Sequence, residues 1–351
     1  MNKKTALGFS LLVGAGLVFV GATRSAATGD PKIPSETTHI VRAANAFLAK
    51  LSEDERKKEV FAFDDEAQRA RWSNFPTGFV RRAGLNLQQM TMPQRAAVMS
   101  LLAAALSKRG YEKVQEIMEA DEVLKQSSGE RDQTMFGKEL YYISILGTPS
   151  ETNPWILQFG GHHLAINMTI AGEQGILTPT LTGAQPAQYE KGGRIIRPLA
   201  EESDRGLALL KSLSDEQRKK AILSYRVADL VLGPGHDGQT IVPEGLKATD
   251  MTEAQRTLLL NTIAAWSGLI NDAAAKARTK EIQVGIDDTY FAWSGSTTAA
   301  PGHNITGYYR IQGPKLVIEY APQSLGGDLS MHVHTIYRDP TNDYGHGLTR
   351  K

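Results

Sequence analysis

Two short histidine patterns dominate the chemistry available to this chain. His162 and His163 are adjacent and follow Gly160-Gly161 at a turn between two apolar runs. His332 and His334 form a His-x-His pair in a run of strand-forming residues from Ser330 to Tyr337. Alternate residues of a strand share a face, so His332 and His334 project side by side. That spacing offers two imidazoles to one metal ion, and a second pair could complete the ligand set. If the Gly-Gly segment continues as strand, His162 and His163 face opposite ways and at most one reaches such a site. The competing reading is a polar turn and a solvent-facing polar row. Cysteine is absent, which excludes thiolate zinc sites, iron–sulfur ligation and a thiol nucleophile. A metal site would have to use His, carboxylate, Met or backbone oxygen.

Other polar residues near these pairs are weaker candidates. Asp339 could orient a ligand imidazole, and Arg338 could clamp a substrate carboxylate. An Asx-type turn at Asp339-Pro340 with Arg338 in a structural ion pair is the favoured alternative. Met168 and Met331 lie near the His pairs in sequence, and thioether beside imidazole favours copper; Met in a strand is also ordinary core. His236 and His303 occupy Gly- and Pro-containing loops. Arg310 and Glu319 fall on neighbouring expected strands and could pair across the sheet. The sequence holds no Gly-x-Ser-x-Gly elbow, no His-Glu-x-x-His, no Walker loop and no Gly-x-Gly-x-x-Gly.

The elements that must hold these residues repeat. Leu51-Ser52-Glu53-Asp54-Glu55, Met90-Thr91-Met92-Pro93-Gln94, Leu213-Ser214-Asp215-Glu216-Gln217 and Met251-Thr252-Glu253-Ala254-Gln255 each place Ser or Thr three residues before Glu or Gln. That is a capping box, in which hydroxyl and carboxyl or amide satisfy two free amides at a helix start. The four copies form two pairs of nearly equal spacing. A stripe of Val98, Leu101, Leu102, Ala105 and Leu106 predicts a helix ending near Gly110; Leu259, Ile263, Trp266, Leu269 and Ile270 predict its counterpart. Each half then changes to period-two runs: Leu140 to Leu146, Trp155 to Phe159 and Leu164 to Ile170, against Thr289 to Trp293, Gly307 to Ile311 and Leu316 to Tyr320. The expected fold is α+β. It consists of two similar units, residues 35–190 and 198–347, each helices followed by a small antiparallel meander, packed with pseudo-two-fold symmetry. Each unit carries one His pair, so a shared site needs the two sheets to meet.

Bulk composition narrows the partners. The 351 residues carry a net charge of +1 from 39 basic and 38 acidic side chains, which gives no global attraction to nucleic acid or anionic lipid. Lys3 and Lys4, the apolar run from Ala6 to Ala22 and the small residues Ser25-Ala26-Ala27 read as a signal peptide over residues 1–27. An uncleaved anchor helix is the alternative, though the apolar run is short of the roughly 20 residues that span a bilayer. The mature chain is therefore expected to be secreted or periplasmic and free of the membrane.

Four longer strings carry a family resemblance: WILQFGGHHLAI from Trp155, TPTLTGAQP from Thr178, GYYRIQGPKLVIEYAP from Gly307 and HVHTIYRDPTNDYG from His332. The chain resembles the domain-of-unknown-function family 3500 along nearly all of its mature length. The resemblance implies an exported protein, often bacterial, and implies no activity. From the residues, the leading expectation is a metal-dependent enzyme acting on a small-molecule or peptide-like substrate. Its metal ligands would be His162, His163, His332 and His334, with Arg338 and Asp339 as catalytic candidates. Copper or iron redox chemistry is favoured; a zinc-type hydrolase is the alternative enzyme, and a non-catalytic polysaccharide- or peptide-binding module is the alternative of another class. The sequence gives neither the substrate nor the oligomeric state.

Overall fold

The four Ser/Thr-x-x-Glu/Gln segments all begin helices. A computed structural model describes residues 35–130, 132–325 and 327–349; the expected signal peptide lies outside them. The first half contains α1 (Glu36–Leu48), α2 (Glu53–Glu59), α3 (Glu66–Arg69), α4 (Met92–Ala105) and α5 (Lys108–Ser127). The second contains α6 (Ala200–Ser212), α7 (Asp215–Ala221), α8 (Glu253–Ser267), α9 (Asp272–Val284) and α10 (His346–Thr349). Ser52, Thr91, Ser214 and Thr252 are the N-caps of α2, α4, α7 and α8. The side chains that close the boxes also reach one another: Gln94 donates to Glu55 at 3.1 Å, and the Gln217 and Gln255 amides meet at 2.9 Å. Each pair of caps is thus one small polar knot binding two helix starts.

The helix from Thr91 stops at Ala105, before the expected Gly110. Gly110 instead lies in the first turn of α5, where a Cβ would stand 2.1 Å from the Leu269 carbonyl oxygen. Its role is close approach between helices; Ser107 caps the new helix by accepting from the Gly110 amide.

The strands of the first half are β1 (Val60–Phe61), β2 (Leu85–Asn86), β3 (Tyr142–Leu146), β4 (Trp155–Gly161), β5 (Leu164–Ala171), β6 (Gln174–Ile176) and β7 (Thr180–Ala184). A separate hairpin, β8 (Tyr189–Lys191) and β9 (Arg194–Ile196), precedes α6. The second half supplies β10 (Leu246–Lys247), β11 (Tyr290–Ser294), β12 (Tyr308–Gly313), β13 (Leu316–Pro322) and β14 (Val333–Arg338). One mostly antiparallel sheet runs β1-β3-β4-β5-β7-β14-β13-β12-β11-β10, with β2 on β3 and β6 on β5. The seam is the antiparallel pair β7–β14, with Leu181 opposite Ile336 and Gly183 opposite His334. The architecture is α+β, and residues from Ser35 onward form one compact unit.

Alternation along β14 separates the two faces of the sheet. Thr335 and Tyr337 face helices: the Trp266 indole donates to Thr335 Oγ1 at 2.9 Å, and Arg278 donates to the Tyr337 hydroxyl at 2.8 Å. Two large apolar clusters lie there, one mainly from each half. Leu269, Ile270 and Ala274 of the second half join the first cluster, and Ala120 joins the second. His334, Ile336 and Arg338 face the other way, toward irregular chain. There Trp72, Ala165, Leu181 and Ile336 form a small cluster flanked by Leu230. The strands are buried on both faces, so β5 and β14 carry apolar and polar residues without clean solvent alternation.

Candidate metal centre

Three of the four candidate histidines converge. His163 and His332 bring their Nε2 atoms to 3.0 Å, and His332 and His334 bring theirs to 3.1 Å. All three are buried and offer ligand atoms within 4.8 Å of one another, so the cluster could hold a metal ion. A tetrahedral ion bound at about 2.0–2.1 Å holds neighbouring ligand atoms roughly 3.3 Å apart, near the spacing seen.

The outer nitrogens explain why the inner ones converge. His332 Nδ1 lies 2.9 Å from the Leu325 carbonyl oxygen, which can only accept. His334 Nδ1 lies 3.3 Å from Asp229 Oδ1 and 3.4 Å from the Asn74 amide nitrogen; the charged carboxylate is the stronger partner. Donation from Nδ1 to these oxygens would leave each Nε2 lone pair facing inward. Burial, then the neighbouring imidazoles, holds His163 well below the ordinary histidine pKa. Burial, then His334, lowers His332 to about 4 against a pull upward from the Leu325 carbonyl. Facing lone pairs repel, and a cation between them would remove that repulsion. The donor set fits a metal ion on these grounds.

Local structure fixes each of the three imidazoles. His334 belongs to β14 and His332 immediately precedes it, where its carbonyl accepts from the Gln323 amide at 2.8 Å. His163 sits in the β4–β5 turn with φ 62°, a left-handed conformation that is costly for a non-glycine residue. Two backbone bonds hold it there: His163 N–H donates to the Asn74 carbonyl at 3.2 Å, and its own carbonyl accepts from the Gly183 amide at 2.7 Å. Gly183 stands opposite His334 across the seam, and a Cβ on it would press 3.2 Å from His163 Cδ2 and 2.8 Å from the Val333 carbonyl. The missing side chain leaves room for the third ring.

Arg82 ties the surrounding chain together. Its guanidinium donates to the carbonyls of Ser73 at 2.7 Å, Phe75 at 2.6 Å and Gly161 at 3.1 Å, and also to Val80. It thereby clips the segment carrying Asn74 to the turn carrying His163. Asp229 does the same on the far side, accepting from the Gln323 amide at 2.8 Å while touching His334. Its side chain is 55% exposed and Leu325 is 74% exposed, so the buried imidazoles lie one layer below solvent.

The family model for "Protein of unknown function (DUF3500)" matches residues 34–346, nearly the whole described chain. The chain belongs to the DUF3500 family. No curated protein and no solved structure matches it.

The remaining candidates of this DUF3500 chain lie elsewhere. His162 turns away from the cluster: its Nδ1 meets Asp121 Oδ1 of α5 at 2.6 Å, while its ring stacks on His163 with centroids 3.7 Å apart. Opposed directions for neighbours at a strand end account for this. Arg338 is wholly buried and spent on structure, donating to the Leu232 and Gly233 carbonyls and pairing with Asp237 and Asp343 at 2.9 Å each. Asp339 is also wholly buried; it pairs with Arg278 at 2.9 Å and accepts from Thr341. The outer partners expected of Asp339 are instead Asp229 and the Leu325 carbonyl. Met168 packs in the first apolar cluster on the helix face. His236 bonds Gln239 in an exposed turn. Arg310 and Glu319 are cross-strand partners in register, but Arg310 pairs with Glu244 at 2.9 Å, and Glu319 accepts from the Tyr308 hydroxyl and the amides of Val231 and Leu232.

Asn74, Arg82, Gly183 and Asp229 were not marked by any sequence pattern. Asn74 and Asp229 reach His334 across 260 and 105 residues, and no local spacing rule spans such distances.

Proposed function

We propose that this chain is a metal-dependent enzyme whose centre is a three-histidine site formed by His163, His332 and His334. What carries the reading is the convergence of three Nε2 atoms within 4.8 Å, two of them on rings whose Nδ1 faces an oxygen acceptor. Three protein ligands leave a coordination position open, the arrangement of catalytic rather than structural zinc sites. A bound ion of this kind lowers the pKa of a coordinated water to about 7 and supplies a nucleophile at neutral pH. The residues contribute the rest. His332 and His334 are aimed by Leu325 and Asp229, and Asp229 sits at the solvent edge, where a small or peptide-like substrate would enter. Metal-assisted hydrolysis is the reading we favour. Copper or iron redox chemistry is second: imidazole suits those ions too, but of the two candidate thioethers Met168 is engaged in the apolar core.

The reading extends to export and ancestry. The basic start and small-residue site of residues 1–27 support a secreted or periplasmic mature chain. A duplication is supported by matching cap pairs, by the mirrored strand order about the β7–β14 seam, and by reciprocal contacts at the helix junctions. There Ser107 N–H donates to the Leu269 carbonyl at 3.0 Å, and Asn271 N–H to the Ala105 carbonyl at 3.1 Å. The site would then be built across the seam, one ligand from one unit and two from the other.

The test is elemental analysis of untagged protein, followed by removal of the ion and reconstitution with zinc, copper or iron. One transition-metal equivalent per chain, and ester or amide hydrolysis restored by zinc, is expected. Redox turnover restored only by copper or iron favours the second reading. A chain that takes up none of the three ions overturns both.

A further inference from the structure

A cationic cleft opens beside Arg82. It measures about 720 Å³ and is lined by Lys57 and Lys58 of α2 and by Arg71, Arg81 and Arg82 of the facing segment, with no carboxylate in its wall. On a chain of net charge +1 this is a strong local imbalance. Lys57 is partly balanced by Asp54 at 3.2 Å, an exposed pair of little energetic weight. Among the described residues, the side chains of Lys58, Arg71 and Arg81 make no hydrogen bond or ion pair.

Two buried groups keep the field uncancelled. Arg82 is nearly enclosed, yet its guanidinium meets only backbone carbonyls, so its charge has no counter-ion. Burial lowers it only to about 10, which leaves it protonated at neutral pH. Glu59 lies beside the cleft wall: its Oε2 accepts from the Leu85 amide at 3.2 Å, and its Oε1 is buried without a partner. Desolvation pushes this carboxyl up to about 9. It therefore carries a proton at neutral pH and contributes no negative charge.

We infer that this cleft binds an extended anionic ligand, a chain bearing several carboxylate or phosphate groups. The volume falls in the range that holds a ligand rather than a lone ion. Unpaired Arg and Lys side chains along the lining can each meet a separate anionic group, and Arg71 and Arg81 have both guanidinium edges free for the two-point bonds that planar oxyanions accept. Arg82 links cleft and metal centre, since it lines the one and holds the turn of the other through the Gly161 carbonyl. The cleft is thus separate from the Asp229 edge of the histidine site and joined to it only through Arg82.

The probes are polygalacturonate, which bears carboxylates, and inorganic polyphosphate. Each is titrated calorimetrically into the full mature protein at low and high salt. Binding of either, weakening as salt rises, is expected. Preference for polygalacturonate assigns a carboxylate ligand, preference for polyphosphate assigns a phosphate ligand, and equal binding assigns recognition by charge alone. The double variant Arg71→Glu/Arg81→Glu changes only exposed side chains. It should keep its melting temperature and metal content and bind at least about tenfold more weakly, because like charges now face the ligand. Retention of neither probe, or undiminished binding by the double variant, overturns the inference. The metal content is read separately, so loss of the metal reading and loss of this one are distinguishable.

Discussion

The Nε2 atoms of His163 and His332 lie 3.0 Å apart although 169 residues separate them in the chain. One belongs to the tight turn after β4, the other to the entry of β14. They meet because β7, which pairs with both β5 and β14, carries Gly183 at the point where a side chain would fill the gap.

Removing one imidazole should empty the site without unfolding the protein. His163→Gly deletes a ligand and also relieves a left-handed residue, a strain on the order of 1 kcal/mol. Bound metal should fall from one equivalent to none by elemental analysis, while the thermal midpoint of the metal-free protein stays close to that of the metal-free parent. A full equivalent retained by the variant would remove His163 from the ligand set.

Asp229→Asn keeps size and hydrogen-bonding capacity but removes the charge facing His334 Nδ1. Outer partners of this kind change metal affinity by roughly 10- to 100-fold. Competition titration against a chelator should show a loss of that order, with unchanged stoichiometry at saturating metal. The same substitution at Asp339, which faces Arg278 rather than a histidine, should leave affinity unaltered.

Arg82→Ala should act through geometry. The variant loses the donors that join the carbonyls of Ser73 and Phe75 to that of Gly161. Its cobalt-substituted form should show a shifted and broadened visible spectrum together with weaker binding. Far-ultraviolet dichroism should remain that of the parent, since Arg82 bonds loop carbonyls and only the end of β4.

Glu59 links stability to alkaline pH. Its folded pKa of about 9 lies above the ordinary glutamate value of 4.5, so between these values the folded state holds a proton that the unfolded chain has lost. Stability from this group is full below about 4.5, declines as pH rises, and reaches its floor above about 9. Glu59→Gln removes the linkage. Denaturant titrations at pH 5 and pH 9 should show a smaller drop for the variant than for the parent; an equal drop would mean that Glu59 is ionised in the folded state.

Lys113 of α5 and Glu202 of α6 form a buried pair at 2.6 Å, and Lys113 also donates to the Pro198 carbonyl at 2.9 Å. Lys113→Ala leaves a buried carboxylate alone, at a cost of about 3–5 kcal/mol. Replacing both by Met and Leu should recover most of that loss. Urea unfolding of the single and double variants measures it.

Local physics was legible in the sequence. Ser52, Thr91, Ser214 and Thr252 mark helix starts because a capping box is completed within four residues. The meander strands follow from period-two runs broken by Gly and Pro, with ends shifted by a residue or two. The His-x-His spacing alone placed His332 and His334 on one face. Tertiary structure decided what faces them. Whether His162 or His163 completes the site depends on the left-handed turn at His163 and on the ion pair that draws His162 to Asp121. Arg338 and Asp339 read as functional in sequence because they are polar and close to the His pair. Burial gave them partners from distant segments, Leu232, Asp237 and Arg278, which no local pattern encodes. Capping and strand alternation are interactions between neighbours in the chain, whereas a ligand set drawn from opposite sides of a seam exists only once β7 and β14 have paired.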